Sequence, residues 1–284
     1  MIAHVAEASE GSGRVLLWLD PSVRSSPQAI DISVRLAAAY GSEIETVEVD
    51  PPHLEPADGV PLRRVEVRPS VVMAALTESD ARACLADGHR RRVDQLAAEM
   101  NVPVRHARTS GEAIDHLSHM CTVRGPWNII ALSRAPSLEM AEMVASIFAN
   151  VSGATGVIVA SRQEADWSGR VAVIAEDSER LPSMLRAAER MVGPDGATHL
   201  VIAATTKAVY DDLEAQSRLL PEVGTRIIFE TTGPTLGVDG ALDEKLIRAR
   251  PSLVIARFGG TLLSDGRALS RCLAVTGAPF LLVR

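Results

Sequence analysis

The chain of 284 residues is 46% hydrophobic and 3% aromatic, and it carries a formal net charge of −7. This length favours two domains, and the scarcity of aromatic residues predicts mainly aliphatic cores. The negative charge argues against a general nucleic-acid partner, because phosphate binding requires clustered positive charge. Three widely spaced cysteines without a C-x-x-C pair, no apolar leader and no apolar run of about 18 residues predict a cytoplasmic protein without membrane insertion.

The first predicted element recurs later in the chain. SGRVLLWLDPS spans Ser12–Ser22, and SGRVAVIAEDS spans Ser168–Ser178, 156 positions later. In each copy a continuous apolar run, Val15–Leu19 or Val171–Ala175, precedes an acidic residue and a serine. Such runs are typical of strands that are covered on both faces of a parallel sheet. The repeat therefore predicts two copies of one α/β unit.

Each copy continues with alternating helices and strands. The first helices are predicted at Pro27–Tyr40 and Leu181–Val192, and the second strands at Glu43–Val49 and His199–Ala203. A strand, helix and strand joined by short loops form a parallel pair with a right-handed crossover. The later elements keep the same order in both copies: third strands at Pro103–Ala107 and Arg226–Glu230, helices at Glu112–Thr122 and Leu242–Arg250, fourth strands at Asn128–Leu132 and Leu253–Ala256, and fifth strands at Gly156–Ala160 and Pro279–Val283.

The first copy is longer than the second. The fourth strands are offset by 125 positions and the fifth by 124, against 156 for the first strands, so the first copy holds 31 additional residues, placed largely in Pro51–Asp87. The five prolines of Pro51–Pro69 predict an irregular surface segment, and the apolar spacing from Glu78 predicts a helix to Met100. We expect the basic run His89–Arg92 to form a solvated face of that helix.

A polar segment, Arg162–Ser168, separates the copies. We predict a first domain over residues 1–162, with the insertion at about 51–87, and a second domain over 168–284. Each fifth strand would end its own sheet, and an exposed sheet edge invites pairing. The predicted fold class is α/β: two tandem, doubly wound, five-stranded parallel sheets that form an intramolecular pseudo-dimer.

This order of elements resembles the universal stress protein superfamily in its tandem form, with an adenine nucleotide alpha hydrolase-like fold. The resemblance covers Arg14–Ser161, through VLLWLDPS, TSGEAIDHLSHM, WNIIALS and ATGVIVAS, and Arg170–Arg284, through VAVIAEDS, PSLVIARFGG and GAPFLLVR. It implies a ligand cleft at the carboxyl ends of the strands. Many members bind ATP there, with an aspartate after the first strand and a loop after the fourth that reads G-x2-G-x9-G-[S/T].

Carried over residue by residue, the resemblance implies these cleft-lining residues: Asp20, Ser22, Ser133, Arg134, Asp177, Ser178, Gly259 and Gly260. Asp20 matches the family aspartate, and Glu176 takes that position in the second copy. The phosphate loop departs from the family pattern, because its glycine positions fall on Ser133, Pro136 and Ser146 in the first copy and on Phe258, Thr261 and Arg271 in the second. We therefore expect no cofactor, and ATP bound through an atypical loop is the alternative.

Other patterns are weaker indications of chemistry. His116, His119 and Cys121 lie on one predicted helix, where only Glu112 and Asp115 could add an acidic ligand at helical spacing, so we expect no metal site. The glycines of residues 233–240 lack the lysine of a P-loop, and no G-x-S-x-G motif occurs. Adjacent acidic pairs point apart and form no acid/base pair. We therefore predict a protein that is not an enzyme.

Two functional hypotheses follow from the sequence. The first is a stress-response regulatory or scaffold protein that binds a protein partner and does not bind ATP. The second is a sensor of ATP or AMP that binds nucleotide at Asp20 or Asp177 through an unusual loop. No residue constellation supports a third, a nucleotide-dependent hydrolase or transferase. A homodimer of tandem chains is compatible with the first two.

Overall fold

The computed structural model describes residues 13–19, 25–50, 78–123, 127–133, 138–160, 167–193, 196–204, 206–219, 226–229, 241–260 and 266–284. The strands in these ranges are β1 (Arg14–Leu19), β2 (Glu43–Asp50), β3 (Val104–Ser110), β4 (Asn128–Leu132), β5 (Ala154–Val159), β6 (Val171–Ala175), β7 (Thr198–Ile202), β8 (Ile227–Phe229), β9 (Leu253–Arg257) and β10 (Phe280–Val283). The helices are α1 (Pro27–Ala39), α2 (Glu78–Glu99), α3 (Ala113–Val123), α4 (Leu138–Asn150), α5 (Leu181–Met191), α6 (Lys207–Leu219), α7 (Ala241–Ala249) and α8 (Gly266–Thr276).

The described strands form one sheet in the order β3-β2-β1-β4-β5-β10-β9-β6-β7-β8. Neighbouring strands are parallel within β1–β5 and within β6–β10. The two fifth strands, β5 and β10, pair antiparallel, with Phe280 opposite Val159 and Val283 opposite Gly156. The α/β class and the mostly parallel sheet agree with the prediction from sequence. We call β1–β5 with their helices the first half and β6–β10 with theirs the second half.

Helices cover both faces of the sheet, and each face has its own apolar core. Alternate residues of one strand serve different cores: Val15 and Leu17 pack on the face covered by α1 and α5, and Leu16 packs on the face covered by α4 and α8. Both helix pairs make contact across the junction of the two halves. The central strands, such as β6 and β9, are therefore mainly apolar, because helices cover both faces of the sheet there, whereas the edge strand β3 is partly exposed.

Local sequence sets the ends of α1. Pro27 lies in the first turn, where its missing N–H group has no intrahelical partner to lose. At the other end Gly41 takes a φ of 58°, a left-handed conformation that favours glycine. The amide of Ser42 then donates to the carbonyl of Ala37 at 2.9 Å and closes the last turn.

The third strand of the first half differs from its predicted range, and helices α6 and α8 had no predicted range. The third strand of the first half extends to Ser110 rather than Ala107, because it pairs along the full length of β2. Helix α6 was not predicted, although Tyr210, Leu213 and Ser217 recur at helical spacing and are buried. It is the counterpart of α2, whose predicted range agrees with the structure. The rest of the predicted insertion, residues 51–77, lies outside the described residues.

The prediction that His89–Arg92 forms a solvated face is wrong for its first two residues. His89 is 9% exposed, and its ring accepts a hydrogen bond from the Ser25 amide at 3.2 Å. Arg90 donates to the buried carboxylate of Glu48 at 2.6 Å. The basic run therefore packs α2 onto the sheet, because the buried Glu48 needs a cationic partner. Only Arg91 and Arg92 lie in solvent.

Among the helices that the structure describes, none is both long enough and apolar enough to cross a lipid bilayer.

Candidate functional site

The carboxyl ends of β6 and β9 bring the predicted residues of the second half together. Glu176 and Asp177 follow β6, Arg257 ends β9, and Gly259 and Gly260 lie in the turn after it. These ends meet because β6 and β9 are parallel neighbours. Arg257 was not among the predicted site residues, although this charged residue directly follows the predicted fourth strand, Leu253–Ala256. We call this group of residues the strand-end site.

Asp177 is held by its neighbours on both sides. Its carboxylate accepts a hydrogen bond from the backbone amide of Arg180 at 3.0 Å and one from the Arg257 guanidinium at 2.5 Å. Burial alone would raise the pKa of Asp177, but the hydrogen bonds from Arg180 and Arg257 outweigh it and lower that pKa. The same contact raises the pKa of Arg257. Asp177 is therefore ionised, closes the turn that precedes α5 and pairs with Arg257.

Glu176 packs against the turn that follows β9. A Cβ atom added to Gly260 would lie 2.6 Å from the Oε2 atom of Glu176 and 2.7 Å from its Cδ atom. Gly260 is therefore the residue that lets the carboxylate of Glu176 approach the backbone of this turn. Gly259 takes a φ of 76°, which also favours glycine. Both glycines have a structural role, and together they place an acidic side chain against the loop.

The strand register corrects the alignment of the two halves by one residue. Ile130 lies opposite Leu16, and Val254 lies opposite Ala172, so the fourth strands are offset by 124 positions instead of 125. Ile130 and Val254 also pack in the same core, as equivalent residues of one sheet must. By the same register the fifth strands are offset by 123, because Val157 and Phe280 lie opposite Ile130 and Val254.

With this offset the three glycine positions of the family loop fall on other residues of the second half, namely Arg257, Gly260 and Ser270. The second glycine is thus present, whereas the sequence alignment had placed a threonine there. The first glycine position holds the arginine that binds Asp177. The carbonyl and amide groups near Arg257 are therefore beside a bulky ion pair rather than in an open cradle.

The first half shows one of its predicted cleft residues. Ser133 follows β4 and is 1% exposed. Its amide donates to the carbonyl of Trp18 at 3.3 Å, and its carbonyl accepts from the amide of Ser26 at 2.9 Å. Both backbone groups thus tie β4 to β1 and to the start of α1. The other predicted cleft residues of this half, Asp20, Ser22 and Arg134, lie outside the described residues.

Ser178, the remaining predicted residue, is exposed in the turn before α5. It sits between Asp177 and Arg180, but the hydrogen bonds to the Asp177 carboxylate come from the backbone amide of Arg180 and the guanidinium of Arg257.

Polar clusters elsewhere in the described chain have structural roles. His106 bridges Thr46 and Asp94, with its Nδ1 atom 2.7 Å from the Thr46 hydroxyl and its Nε2 atom 3.0 Å from the Asp94 carboxylate. This order of groups resembles a catalytic triad, but Thr46 is 0% exposed in the middle of β2. A substrate therefore has no access to its hydroxyl, and the cluster serves to fasten α2 to the sheet.

His116, His119 and Cys121 do not converge on a common point. Burial raises the pKa of Cys121 to about 11, and the nearby Arg14 opposes this increase only in part. Cys121 is therefore a thiol at neutral pH. Burial and the neighbouring His119 lower the pKa of His116. Within the described ranges, no group of three or more His, Cys, Asp or Glu side chains could hold a metal ion.

A pocket that sequence analysis missed lies where the two halves meet. Its volume is about 550 Å³, and it opens between the end of α1, helix α5 and the paired strands β5 and β10. We call it the interhalf pocket and define it by two aromatic and four basic lining residues, namely Tyr40, Trp127, Arg180, Arg186, Arg190 and Arg284. The spacing of Arg186 and Arg190 on α5 indicates a basic helix face in the sequence. The sequence does not show that Tyr40 and Trp127 of the first half form the opposite wall.

Comparison with solved structures identifies the fold. A universal stress protein from Archaeoglobus fulgidus DSM 4304 superimposes with a TM-score of 0.60 at 11% sequence identity, over 95% of this chain and 96% of that one. The chain has the universal stress protein fold. A functionally unknown protein from Pseudomonas aeruginosa PAO1 matches with a TM-score of 0.53 at 11% identity, over 95% of this chain and 92% of that one.

A protein from Pseudomonas aeruginosa UCBPP-PA14, provisionally described as a universal stress protein, also matches with a TM-score of 0.53 at 12% identity, over 95% of this chain and 92% of that one. No protein-family profile and no curated protein matches the sequence. The universal stress protein fold is therefore recognised through structure, at a level of identity where most side chains have changed.

Proposed function

We propose that the protein is a stress-response regulatory or scaffold protein that acts by binding, without catalysis and without ATP at its strand ends. The observation that carries this proposal is the contact of Glu176 with Gly260. In the family, the loop that contains this glycine approaches the phosphates of ATP. Here a carboxylate takes that side of the glycine, and it would repel a phosphate group at the same place.

The charges around that contact support the same conclusion. Asp177 adds a second carboxylate beside Glu176, and the pKa shift of Asp177 favours its ionised form. The cation nearest to this pair, Arg257, already donates to Asp177 at 2.5 Å. A triphosphate would have to displace Asp177 from Arg257 and move Glu176 away from Gly260. Each step costs free energy that an open glycine-rich loop does not demand.

In the first half, the buried Ser133 supports the proposal independently. An amide that is to bind phosphate must point into the cleft, whereas the amide of Ser133 donates to the Trp18 carbonyl. At the first glycine position of the loop, both halves therefore use their groups for internal contacts.

The halves themselves are proposed to be tandem copies of one universal-stress-like unit, joined as an intramolecular pseudo-dimer. The support is the strand order of the sheet, in which 3-2-1-4-5 recurs as 8-7-6-9-10 around the antiparallel β5–β10 pair. An edge strand that is paired within the chain is no longer free to pair with another molecule. Binding of a protein partner would then use the helical faces or the strand ends.

A sensor of ATP or AMP is the second candidate function, and one observation favours it. The corrected register places Gly260 at the second glycine position of the family loop, and Gly259 has the positive φ of a tight turn. Movement of Glu176 would expose the backbone of this turn to a nucleotide. This candidate predicts that Gly260→Ala abolishes nucleotide binding.

Isothermal titration of nucleotide-stripped protein with ATP and AMP, with and without magnesium, distinguishes the two functions. We expect no heat of binding up to millimolar nucleotide. Binding at micromolar affinity that is lost in Gly260→Ala and kept in Gly88→Ala would contradict the proposal and establish the sensor. Gly88 is the matched control, because its φ, like that of Gly260, is not positive and an added Cβ atom would have nothing within 4 Å.

The stress-response role has a separate test in the organism that encodes the chain. We expect the abundance of the protein to rise on entry into growth arrest, and a strain without it to lose viability faster under starvation or oxidant exposure. Complementation by Asp177→Asn should restore survival, because the proposed role does not use the strand-end site for nucleotide. Constant abundance together with unchanged survival would contradict the role.

A further inference from the structure

We propose that the interhalf pocket binds a small organic anion that combines a planar apolar body with a carboxylate or phosphate group. This site lies at the junction of the halves and adjoins the strand-end site through Arg180, whose amide donates to Asp177. Its described lining residues include none of those that define the strand-end site, and the proposal does not depend on whether the strand ends bind nucleotide. Its volume of about 550 Å³ is in the range of small-molecule sites in proteins.

The lining of the interhalf pocket is positively charged. The whole chain has 36 acidic residues against 29 lysines and arginines, yet four of the described lining residues of the pocket are arginines and none is acidic. Of the four, Arg186 and Arg190 lie one turn apart on α5, and Arg180 immediately precedes this helix. The fourth, Arg284, follows β10 and is positioned by a hydrogen bond from its Nη1 atom to the carbonyl of Ser152 at 3.1 Å. The pocket thus reverses the charge of the protein around it, and guanidinium groups are suited to oxyanions.

One hydrogen-bond donor of a lining residue, the Nε–H group of Arg180, is unsatisfied within the described part of the chain. The Nε atom of Arg180 is buried and has no hydrogen-bond partner, although the Nη2 atom of the same side chain lies 3.5 Å from the Glu179 carboxylate. A buried N–H group without an acceptor costs free energy, which an oxyanion in the pocket would recover. Arg180 also immediately precedes α5, so the positive end of this helix dipole adds to the attraction.

Two aromatic side chains, Tyr40 and Trp127, form an apolar wall beside these charges. The rings of Tyr40 and Trp127 lie 5.2 Å apart at an angle of 56°, and the Arg190 guanidinium lies 4.7 Å above the Tyr40 ring. Side chains of Ile129 and Leu281 complete the floor. An aromatic surface next to a guanidinium matches a ligand whose flat body and anionic group are adjacent, because the body displaces water from the rings while the anion meets the arginine.

Both halves of the chain contribute to the pocket, and this has a consequence for stability. Tyr40 and Trp127 belong to the first half, and the arginines of α5 belong to the second. A ligand that contacts both would stabilise the junction of the halves in addition to the β5–β10 pairing. We therefore expect ligand binding to raise the temperature of thermal unfolding.

A pair of ligands that differ only in charge tests the proposal. 1-Naphthoate carries a carboxylate on a planar apolar body, and 1-naphthalenemethanol has the same ring system without the charge. We expect calorimetric titration of the full chain to show saturable binding of 1-naphthoate and at least roughly tenfold weaker binding of the alcohol. Quenching of tryptophan fluorescence should accompany binding and disappear in Trp127→Phe. Added salt should weaken the binding of the anion only.

Two matched double variants locate the site. Arg186→Gln/Arg190→Gln removes two charges from the pocket, and Arg248→Gln/Arg271→Gln removes two from α7 and α8, where each arginine pairs with an acidic side chain. We expect the first variant to weaken 1-naphthoate binding by roughly tenfold or more, and the second to leave it unchanged. Circular dichroism spectra should show that both variants are folded.

Three outcomes would overturn the proposal: no binding of 1-naphthoate at millimolar concentration, equal binding of the acid and the alcohol, or equal weakening in both double variants. ATP is itself a planar base with phosphates, so its titration is repeated on the same proteins. Nucleotide binding that survives Gly260→Ala and is lost in Arg186→Gln/Arg190→Gln would place the nucleotide in the interhalf pocket, and the reverse pattern would place it at the strand-end site.

Discussion

The two halves differ in the polar residues at the amino ends of their central strands. The first half has Arg14, Glu45 and Asn128 there. The strand register shows that the equivalent residues of the second half are Arg170, His199 and Ser252, respectively. In the first half these residues form a buried ion pair. Arg14 is 2% exposed and donates to the Glu45 carboxylate, to the carbonyl of Met120 and, at 3.1 Å, to the Asn128 side chain.

At the equivalent positions, the second half has hydrogen bonds between hydroxyl groups in place of a buried ion pair. The hydroxyls of Ser168 and Ser252 lie 2.6 Å apart, and Arg170 is partly exposed, with its Nε atom 3.3 Å from the Ser168 hydroxyl. The comparison teaches that the backbone of the fold needs polar partners at this end of the sheet but does not dictate their charge. What differs is the penalty for removing one partner, because only the first half would be left with a buried, unpaired carboxylate.

Arg14→Ala should have the largest effect. We expect it to lower the free energy of unfolding by about 3–5 kcal/mol, because it leaves the carboxylate of Glu45 buried without its cation. Arg170→Ala, the matched change in the second half, should cost less than about 1 kcal/mol. Urea unfolding monitored by circular dichroism measures both. Equal losses in the two variants would break the comparison.

A double-mutant cycle sharpens the same point. We expect Arg14→Ala/Glu45→Ala to cost less than the sum of the single changes by about 1–3 kcal/mol, because each single change already removes the ion pair. The measurement is again the free energy of unfolding for the four proteins of the cycle. Additive losses would mean that Arg14 stabilises the fold through Asn128 and Met120 alone.

The carboxyl ends of the strands allow a second comparison within one turn. Gly260→Ala should cost about 1–3 kcal/mol, because the new methyl group would overlap the Glu176 carboxylate, and the loss should shrink when Glu176→Ala is added. Gly259→Ala meets no neighbour but must adopt a φ of 76°, so it should cost about 1–2 kcal/mol whether or not Glu176 is present. Thermal unfolding of five variants, the three single changes and the two doubles that contain Glu176→Ala, gives these differences. A Glu176-dependent loss in Gly259→Ala would contradict them.

We expect Asp177→Asn to have the smallest effect on the free energy of unfolding, and we expect this effect to depend on pH. Its pKa is lowered in the folded state from a usual value of 3.8, so the folded state binds this proton less tightly than the unfolded state. Its contribution is therefore complete above pH 4 and is lost as the pH falls through the folded pKa. Asp177→Asn should cost about 1 kcal/mol at pH 7 and much less at pH 2, as measured by urea unfolding at both pH values. A loss that does not depend on pH would mean that neither the Arg180 amide nor Arg257 stabilises the ionised form of Asp177.

Much of the fold could be predicted from the sequence because buried parallel strands leave a strong pattern. All five predicted strands of each half correspond to strands of the structure, from Val15–Leu19 to Pro279–Val283, within a few residues at their ends. Helix α6 was not predicted, because only three of its residues, Tyr210, Leu213 and Ser217, are buried and the rest of its sequence is mostly polar. The pairing of β5 with β10 followed from the need to cover two sheet edges.

The candidate site was less predictable. Asp177, Gly259 and Gly260 are brought together, as the resemblance implied, but their contacts were not foreseen, because Arg257 and Glu176 act through distances of a few ångströms that spacing in sequence does not encode. The loop alignment was wrong by one residue for a related reason. Hydrophobic patterns of the two fourth strands match almost equally well at offsets of 124 and 125, since both strands are apolar throughout.

By itself the sequence determined the α/β class, the repeated order of elements and the apolar character of the central strands, because burial on both faces of a parallel sheet demands those residues locally. Only the tertiary structure decided the register of β9 against β6, the ion pair of Arg257 with Asp177 and the pocket between Trp127 and α5. Each of these depends on which residues of distant segments come within contact distance. That outcome is set by the packing of both halves around the β5–β10 junction, and no local pattern contains it.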